Sequence, residues 1–437
     1  MKFAHLSDLH IGSWRDERLR DVSMAVFLKA IEMCKEEKVD FILFAGDLFN
    51  TAFPAVDKLA IVARVLRELK EEGIPVYVIP GSHDFSPSGT TMIDVLEHGG
   101  LLVNVYKGDV VSKRLQLRFT IDRKTGAKIT GILGRKGMLD RTFYEDLDRE
   151  AIEREEGYKI FMFHTALQEL RPTHLEHMEA QPVSLLPRGF DYYAGGHVHH
   201  RMEFSAEGYK KVTQPGALFP NNFAELEKYG HGGFFIVQDD AVEWKPVNVR
   251  ERIALTLDAD GKRAEDVSAE LMELMNNVIP DALVTVRVHG ILSSGQVSDI
   301  SFNDALAEAY ARGAHAVLKN TAALTSEEFE DVEIHADSIE QIEEQLIQEH
   351  AKSSVFGEKT ATLVKELMQA LSAEKKEGET VRDFEERVKH GGMTALKYNY
   401  PRILRYTAFT SCDFALPLLA RMTWPTRKLS ASVFPAL

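Results

Sequence analysis

The feature that most restricts the fold of this chain is a rhythm running through about its first 245 residues. Short apolar runs alternate with longer amphipathic stretches. Phe3–Ser7, Val39–Ala45, Ile74–Ile79, Ile160–Phe163, Tyr192–Ala194 and Phe234–Val237 have the length and composition of strands. Ser23–Lys38 and Ala55–Glu72 repeat their apolar residues at helical spacing. Strands alternating with helices predict a layered α/β domain. The longest apolar runs, Phe41–Ala45 and Val76–Pro80, stay far below the roughly 20 residues that span a bilayer. The first residues enter a strand pattern at once, so neither a signal peptide nor a membrane segment is expected. Cys34 and Cys412 are the only cysteines, which argues against a disulfide framework and fits a reducing, cytoplasmic setting.

A chain of 437 residues exceeds one ordinary core, and the pattern divides accordingly. Residues 1–248 form the first domain. From 249 to 335 the text reads as a smaller α/β module, with strands at Ile253–Leu257 and Leu283–Val288 and helices at Ala264–Asn276 and Asn303–Gly313. The acidic stretch Ser326–Glu333 reads as a solvated connector. Residues 336–392 contain amphipathic helices: Ser338 and Gln341 suggest a capping box, and Phe356, Leu363, Val364, Leu367 and Leu371 share one face of the next helix. Val381, Phe384 and Val388 mark a further one. These helices dock either on their own chain or in a partner's groove. After His390-Gly391-Gly392 the pattern breaks, and 393–437 reads as a basic tail, either disordered or, through Tyr398, Tyr400, Tyr406 and Trp424, able to bind single strands.

Net charge of −15 does not advertise nucleic-acid binding, and on charge alone that class would be disfavoured. Carboxylates concentrated around metal would also make a chain acidic. Five motifs sit where strands run into loops: Asp8-Leu9-His10, Gly46-Asp47, Gly81-Ser82-His83-Asp84, His164, and Gly196-His197-Val198-His199. Singly, an Asp-x-His at a strand end is an ordinary turn or helix cap. As a set they differ, because loops at the carboxyl ends of adjacent strands converge on one crevice. Carboxylates with imidazoles suit Mn²⁺, Fe²⁺ or Zn²⁺, and without thiolates the set is no structural zinc finger. Two cations roughly 3.5 to 4 Å apart, bridged by a carboxylate such as Asp47, can clamp the oxygens of a phosphate-ester displacement. A histidine off the metals, His83, fits the donor of a proton to the leaving oxygen.

These motifs resemble the calcineurin-like metallophosphoesterase signature. The flanking text, Leu6-Ser7-Asp8-Leu9-His10-Ile11-Gly12, Phe44-Ala45-Gly46-Asp47-Leu48-Phe49 and Gly195-Gly196-His197-Val198-His199, is similar to the archaeal and bacterial DNA double-strand-break nucleases called Mre-eleven or SbcD. The resemblance implies a layered β-sandwich flanked by helices, a small α/β capping domain, and C-terminal helices that dock on an SMC-like ABC-type ATPase of the Rad-fifty or SbcC type. It implies a first metal on Asp8, His10, Asp47 and His199, and a second on Asp47, His164 and His197, both Mn²⁺. It further implies a nucleoid-associated enzyme with 3′-to-5′ exonuclease activity on duplex DNA and endonuclease activity on single strands. Local basic loops, including Arg15, Arg18 and Arg20, together with the partner's surface, would then hold the DNA.

Two positions depart from that family. Its Gly-Asn-His-Asp motif supplies an Asn ligand to the second metal, where this chain has Ser82, shorter and a poorer donor. Asn50 stands where the family often has a phosphate-orienting His. The family dimerises through helices matching 55–72 and 90–98, and Val56, Leu59, Ala60 and Ala63 leave an apolar face for such contact; burial within the monomer is the alternative. Two other functions remain open: a phosphoesterase of small substrates, and a non-catalytic tether of DNA ends.

Overall fold

The structure is a computed structural model that describes residues 1–86, 89–171, 177–239, 241–327, 360–373, 376 and 379–399. The expected layered α/β sandwich is present. One six-stranded sheet runs in the order Ala241–Val247, Gly232–Gln238, Lys2–Leu6, Phe41–Ala45, Val76–Ile79, Val103–Asn104. The second runs Met202–Ala206, Tyr209–Gln214, Tyr192–Gly196, Lys159–His164, Lys128–Gly131, Thr120–Ile121. The central pairings are parallel, with Phe3 opposite Phe41 and Ile42 opposite Val76 in the first sheet, and Gly196 opposite His164 in the second.

Alternation along Phe41–Ala45 explains its unbroken apolar run. Phe41, Leu43 and Ala45 point between the sheets, where they meet Ile129, Ile160, Met162 and Tyr192. Ile42 and Phe44 point outward and are covered by helices Glu17–Glu36, Val56–Glu71 and Met92–His98. A parallel strand covered on both faces has no polar side to show.

Helix Glu17–Glu36 starts six residues before the expected Ser23. Asp16 caps it, accepting from the amides of Arg18 at 2.9 Å and Leu19 at 3.2 Å, and buried Leu19 and Val22 extend the apolar stripe backward. In helix Val56–Glu71 the sheet-facing residues are Val62, Val65, Leu66 and Leu69. Val56 is 80% exposed and Val95 50%.

Arg252–Asp258, Leu283–Leu292 and Ala316–Asn320 form the parallel sheet of the smaller module, and Leu324–Ser326 pairs with the far end of the middle strand. Helices Ala264–Leu274 and Phe302–Ala311 complete its separate core. Module and sandwich nonetheless belong to one compact unit, Met1–Phe329. Arg287 pairs with both carboxylate oxygens of Glu227, from Nε at 2.8 and 3.0 Å and Nη2 at 2.6 Å. Arg18, expected in a DNA-facing loop, lies instead on the first helix, donates to the His315 carbonyl at 3.3 Å and covers the Tyr310 ring at 4.6 Å.

A second unit contains helices Thr360–Leu371 and Val381–Asn399, which pack on each other. The expected break at Gly391-Gly392 does not occur, and residues 393–399 are helical rather than tail. Glycine weakens a helix interior by roughly 1 kcal/mol each, a cost the helix bears while packing on its neighbour Thr360–Leu371; a Cβ on Gly391 would meet the Ala370 Cβ at an ordinary contact distance of 3.4 Å. The Ser338–Gln341 capping box, Phe356, most of the acidic connector and residues 400–437 lie outside the described residues. Among those described, no helix is long and apolar enough to cross a membrane.

Candidate metal centre

The loops that follow strands Lys2–Leu6 and Phe41–Ala45 run side by side beyond the sheet edge. The Asp8 amide donates to the Gly46 carbonyl at 3.2 Å and the His10 amide to the Asp47 carbonyl at 2.9 Å. Asp8, His10, Asp47 and His197 all adopt positive φ, at 51°, 43°, 52° and 91°. Non-glycine residues hold this region at a cost of roughly 1–3 kcal/mol each, and such strain concentrates at functional sites. Gly46 shows why the turn must be bare: at φ 90° its Cβ would fall 2.1 Å from His164 Nδ1.

Five strand ends bring their donors together. Ligand atoms of Asp8, His10 and His199 lie within 4.8 Å of one another, as do those of Asp8, Asp47 and His164, and those of His10, Asp47 and His83. His164 Nε2 is 3.2 Å from Asp47 Oδ2 and 4.0 Å from Asp8 Oδ1. His10 Nε2 and His199 Nε2 converge to 3.0 Å, a separation between imidazole nitrogens that needs a proton or a cation between them. His10 Nδ1 is buried with no hydrogen-bond partner. Asp8, His10 and Asp47 each belong to two of the three groups, so the groups share ligands.

Charge in this cluster is polarised. Burial disfavours a charged imidazole at His164, but Asp47 and Asp8 overcome it and raise its pKa to about 10. Burial likewise opposes ionisation of Asp47, yet His164, His10 and the His83 amide hold its carboxyl far below the ordinary carboxylate range. His10 is lowered to about 3, by burial first and then by His199. His197 is lowered to about 4 by burial and by His164. The carboxylates thus draw positive charge onto His164 while His10 and His197 resist it. Buried carboxylates, neutral imidazoles and an orphaned nitrogen fit divalent cations.

The other expected residues are placed less simply. The ring of His197 lies 5.2 Å from that of His164, and its amide donates to both Asp8 oxygens at 3.0 and 3.1 Å; it is not among the closest donor groups. Ser82 is buried at the cluster's edge and its hydroxyl reaches Asp47 Oδ2 at 3.4 Å. His83 Nδ1 donates to the Asn50 carbonyl at 2.8 Å, so Asn50 meets the site through its backbone.

Three residues hold supporting positions to which the motifs assign no role. His199 Nδ1 donates to Glu225 Oε1 at 3.0 Å, and Glu225 is itself held by the Asn221 amide at 2.7 Å and Asn222 Nδ2 at 2.6 Å. Burial opposes it, but the Glu225 carboxylate raises the His199 pKa. Gln214 donates to the carbonyls of Thr165 at 3.2 Å and Gly196 at 3.1 Å, tying the His164 loop to the His197 loop. Asp84 accepts from the amides of Gly81, Leu48 and Phe49 at 2.9 to 3.2 Å, joining the Asp47 and Ser82 loops. Only Asp84 lay inside a motif.

The calcineurin-like phosphoesterase family matches residues 1–201, a span that contains every gathered Asp and His. Residues 1–201 belong to the calcineurin-like phosphoesterase family. Divalent-metal binding follows from membership in that phosphoesterase family, in agreement with the donor cluster. The chain is also similar to archaeal repair proteins. The "DNA double-strand break repair protein Mre11" of Methanopyrus kandleri is 29% identical over 282 residues, 61% of each chain. Its counterpart from Sulfurisphaera tokodaii is 30% identical over 273 residues, 60% of this chain and 66% of that one. That from Archaeoglobus fulgidus is 24% identical over 367 residues, 77% of each. The chain thus spans slightly under two thirds of the length of the first two relatives.

Proposed function

We propose that this protein is a Mn²⁺-dependent DNA nuclease of double-strand-break repair, acting as a 3′-to-5′ exonuclease on duplex ends and an endonuclease on single strands. The carrying observation is the convergence of Asp8, His10, Asp47, His164 and His199 donors within 4.8 Å in overlapping groups. Similarity to Mre11 proteins supports DNA as the substrate.

In this reading Asp8, His10, Asp47 and His199 hold one Mn²⁺, and Asp47, Ser82, His164 and His197 hold a second. Bound there, the pair would supply Lewis acidity toward the phosphate oxygens and lower the pKa of an attacking water. Asp47 offsets the repulsion between the two charges. Glu225 fixes the His199 ring with Nε2 directed at the cluster, as outer-shell carboxylates do. His83 donates a proton to the departing oxygen; its Nδ1–H is committed to the Asn50 carbonyl, which leaves Nε2 for that transfer.

An SMC-like ABC-type ATPase is the proposed partner, docking on the helices of the second unit, and helices Val56–Glu71 and Met92–His98 are the proposed homodimer face. Exposed Val56 and Val95 support the latter. A Val95→Asp substitution should lower the solution mass toward a monomer. The decisive experiment digests labelled duplex and single-stranded DNA with Mn²⁺, with and without the ATPase, beside p-nitrophenyl phosphate. Turnover of DNA is expected; turnover of the monoester alone would mark a small-substrate phosphoesterase. Ser82 favours one further reading, a tether of DNA ends without turnover. Loss of nuclease activity in His83→Leu, from a wild type active above chelated controls, would exclude it.

A further inference from the structure

A cavity of about 420 Å³ opens beside Ser82 and His83, within the size range of small-molecule sites. Its lining changes character away from the metal centre: among the described residues, no carboxylate contributes. Thr51 and Ala52 line it together with Phe85, Arg135, Lys136 and Leu139. The Arg135 guanidinium lies 4.8 Å over the Phe85 ring and 5.1 Å from the Phe143 ring, and its Nε is buried with no hydrogen-bond partner. Phe85 stays 39% exposed and Leu139 64% exposed. An isolated exposed apolar side chain needs no explanation. An aromatic ring and a leucine sharing one cavity with two cations is a different arrangement, because it offers a flat apolar surface and positive charge to the same ligand.

We propose that this cavity is a nucleoside subsite, in which a base stacks on Phe85 and Arg135 while Lys136 faces the backbone phosphate. It deepens the nuclease reading and rests on it. In an in-line displacement the leaving oxygen departs opposite the attacking water. His83 protonates that oxygen, so the nucleoside attached to it lies on the His83 side, where the cavity opens. Water's oxygen forms the new P–O bond, the P–O3′ bond breaks, and the His83 proton passes to O3′. The products are a 3′-hydroxyl and a 5′-phosphate, and the proton lost from water restores the balance. The subsite thus holds the nucleoside that keeps the 3′-hydroxyl. Stacking is sequence-tolerant, since every base has a π-face, and a stacked base contributes about 1–3 kcal/mol.

The test uses the full chain with Mn²⁺ and three substrates: a short oligonucleotide, the same oligonucleotide with an abasic residue 5′ of the scissile phosphate, and bis-p-nitrophenyl phosphate. Wild type should prefer the base-bearing substrate over the abasic one by about 5- to 150-fold in kcat/KM, mainly through KM. That ratio should fall toward unity in Phe85→Ala and persist in Phe85→Trp. A wild-type ratio near one, with the diester still hydrolysed, overturns the subsite and leaves the phosphodiesterase reading standing. A ratio that survives in Phe85→Ala also overturns it. Absence of turnover on all three substrates overturns both.

Discussion

Glu225→Gln is expected to weaken divalent-metal binding although Glu225 contributes no ligand in the proposed set. Its two oxygens do different work: Oε1 accepts from His199 Nδ1 at 3.0 Å and Asn222 Nδ2 at 2.6 Å, while Oε2 accepts from the Asn221 amide at 2.7 Å. Glutamine has one acceptor oxygen and one donor group. If its oxygen faces His199, its NH₂ faces the Asn221 N–H; turned round, the NH₂ faces His199. Either way a donor meets a donor, and a buried group left unsatisfied costs about 1–3 kcal/mol. His199 also loses the negative charge that makes it a stronger base. Loss of such an outer-shell carboxylate lowers metal affinity by about 10- to 100-fold, or about 1.4–2.7 kcal/mol. Titration calorimetry with Mn²⁺ on wild type and Glu225→Gln measures this directly, with melting of the metal-stripped proteins as the folding control. Equal Mn²⁺ affinity in two proteins of equal stability would refute the idea that Glu225 positions His199 for a cation.

Three further outcomes are expected. Gly46→Ala should destabilise the fold by about 3 kcal/mol or more, since it adds overpacking to backbone strain; Gly12→Ala is its control, because both glycines have φ 90° but nothing lies within 4 Å of a Cβ at Gly12. Urea denaturation showing equal losses would remove the crowding argument. Ser82→Asn should raise Mn²⁺ occupancy and turnover together, because the longer amide reaches past the present 3.4 Å approach of Ser82 to Asp47; unchanged occupancy and rate would reject a weakened second site. His5 is buried among Tyr192, Thr213, Gly195 and Phe235, and burial lowers its pKa to about 3 against the opposing bond to the Gly195 carbonyl. The unfolded chain therefore binds the proton first, so His5 contributes stability that is full above about pH 6.5 and lost as pH falls toward 3. Between pH 7 and 5 this amounts to about 2 kcal/mol, and the stability difference between wild type and His5→Gln should narrow by that much; a constant difference would contradict it.

How much of this was legible depended on where the physical cause lay. Strand Phe41–Ala45 announced itself because both of its faces are covered, and Asp8, Asp47 and His164 could be grouped because each follows such a strand. Two-residue strands such as Val103–Asn104 and Thr120–Ile121 carry no periodicity to read. The early start of the first helix turned on one cap, Asp16, among polar neighbours that could equally belong to a loop. Gly391-Gly392 looked like a terminator because propensity is local, whereas the helix that carries it packs along its neighbour Thr360–Leu371. Glu225 was invisible for a related reason: it stands 26 residues from His199, and Asn222-x-x-Glu225 reads only as a helix start. Residues that act through another residue leave no spacing to recognise.

That indirect layer has a mechanical consequence. Helix Phe223–Tyr229 has seven residues, too few to be stable alone, so its position is set by what it touches. Glu225 bonds His199, the Tyr229 hydroxyl bonds His200 Nδ1 at 2.9 Å, Glu227 grips Arg287 of the smaller module, and the Glu227 carbonyl accepts from Arg252 at 2.6 Å. One short element therefore joins a proposed metal ligand to the module. Arg287→Met removes the bidentate grip while keeping much of the side-chain volume over Phe223, which the guanidinium now covers at 5.2 Å. If the helix takes its position from the module, Mn²⁺ affinity should fall several-fold even though Arg287 supplies no ligand. Combining Arg287→Met with Glu225→Gln should then cost less than the sum of the two, because the second change would break a link already slack. Strict additivity would instead mean that the sandwich alone holds the helix, and that the module can move without disturbing the cation site.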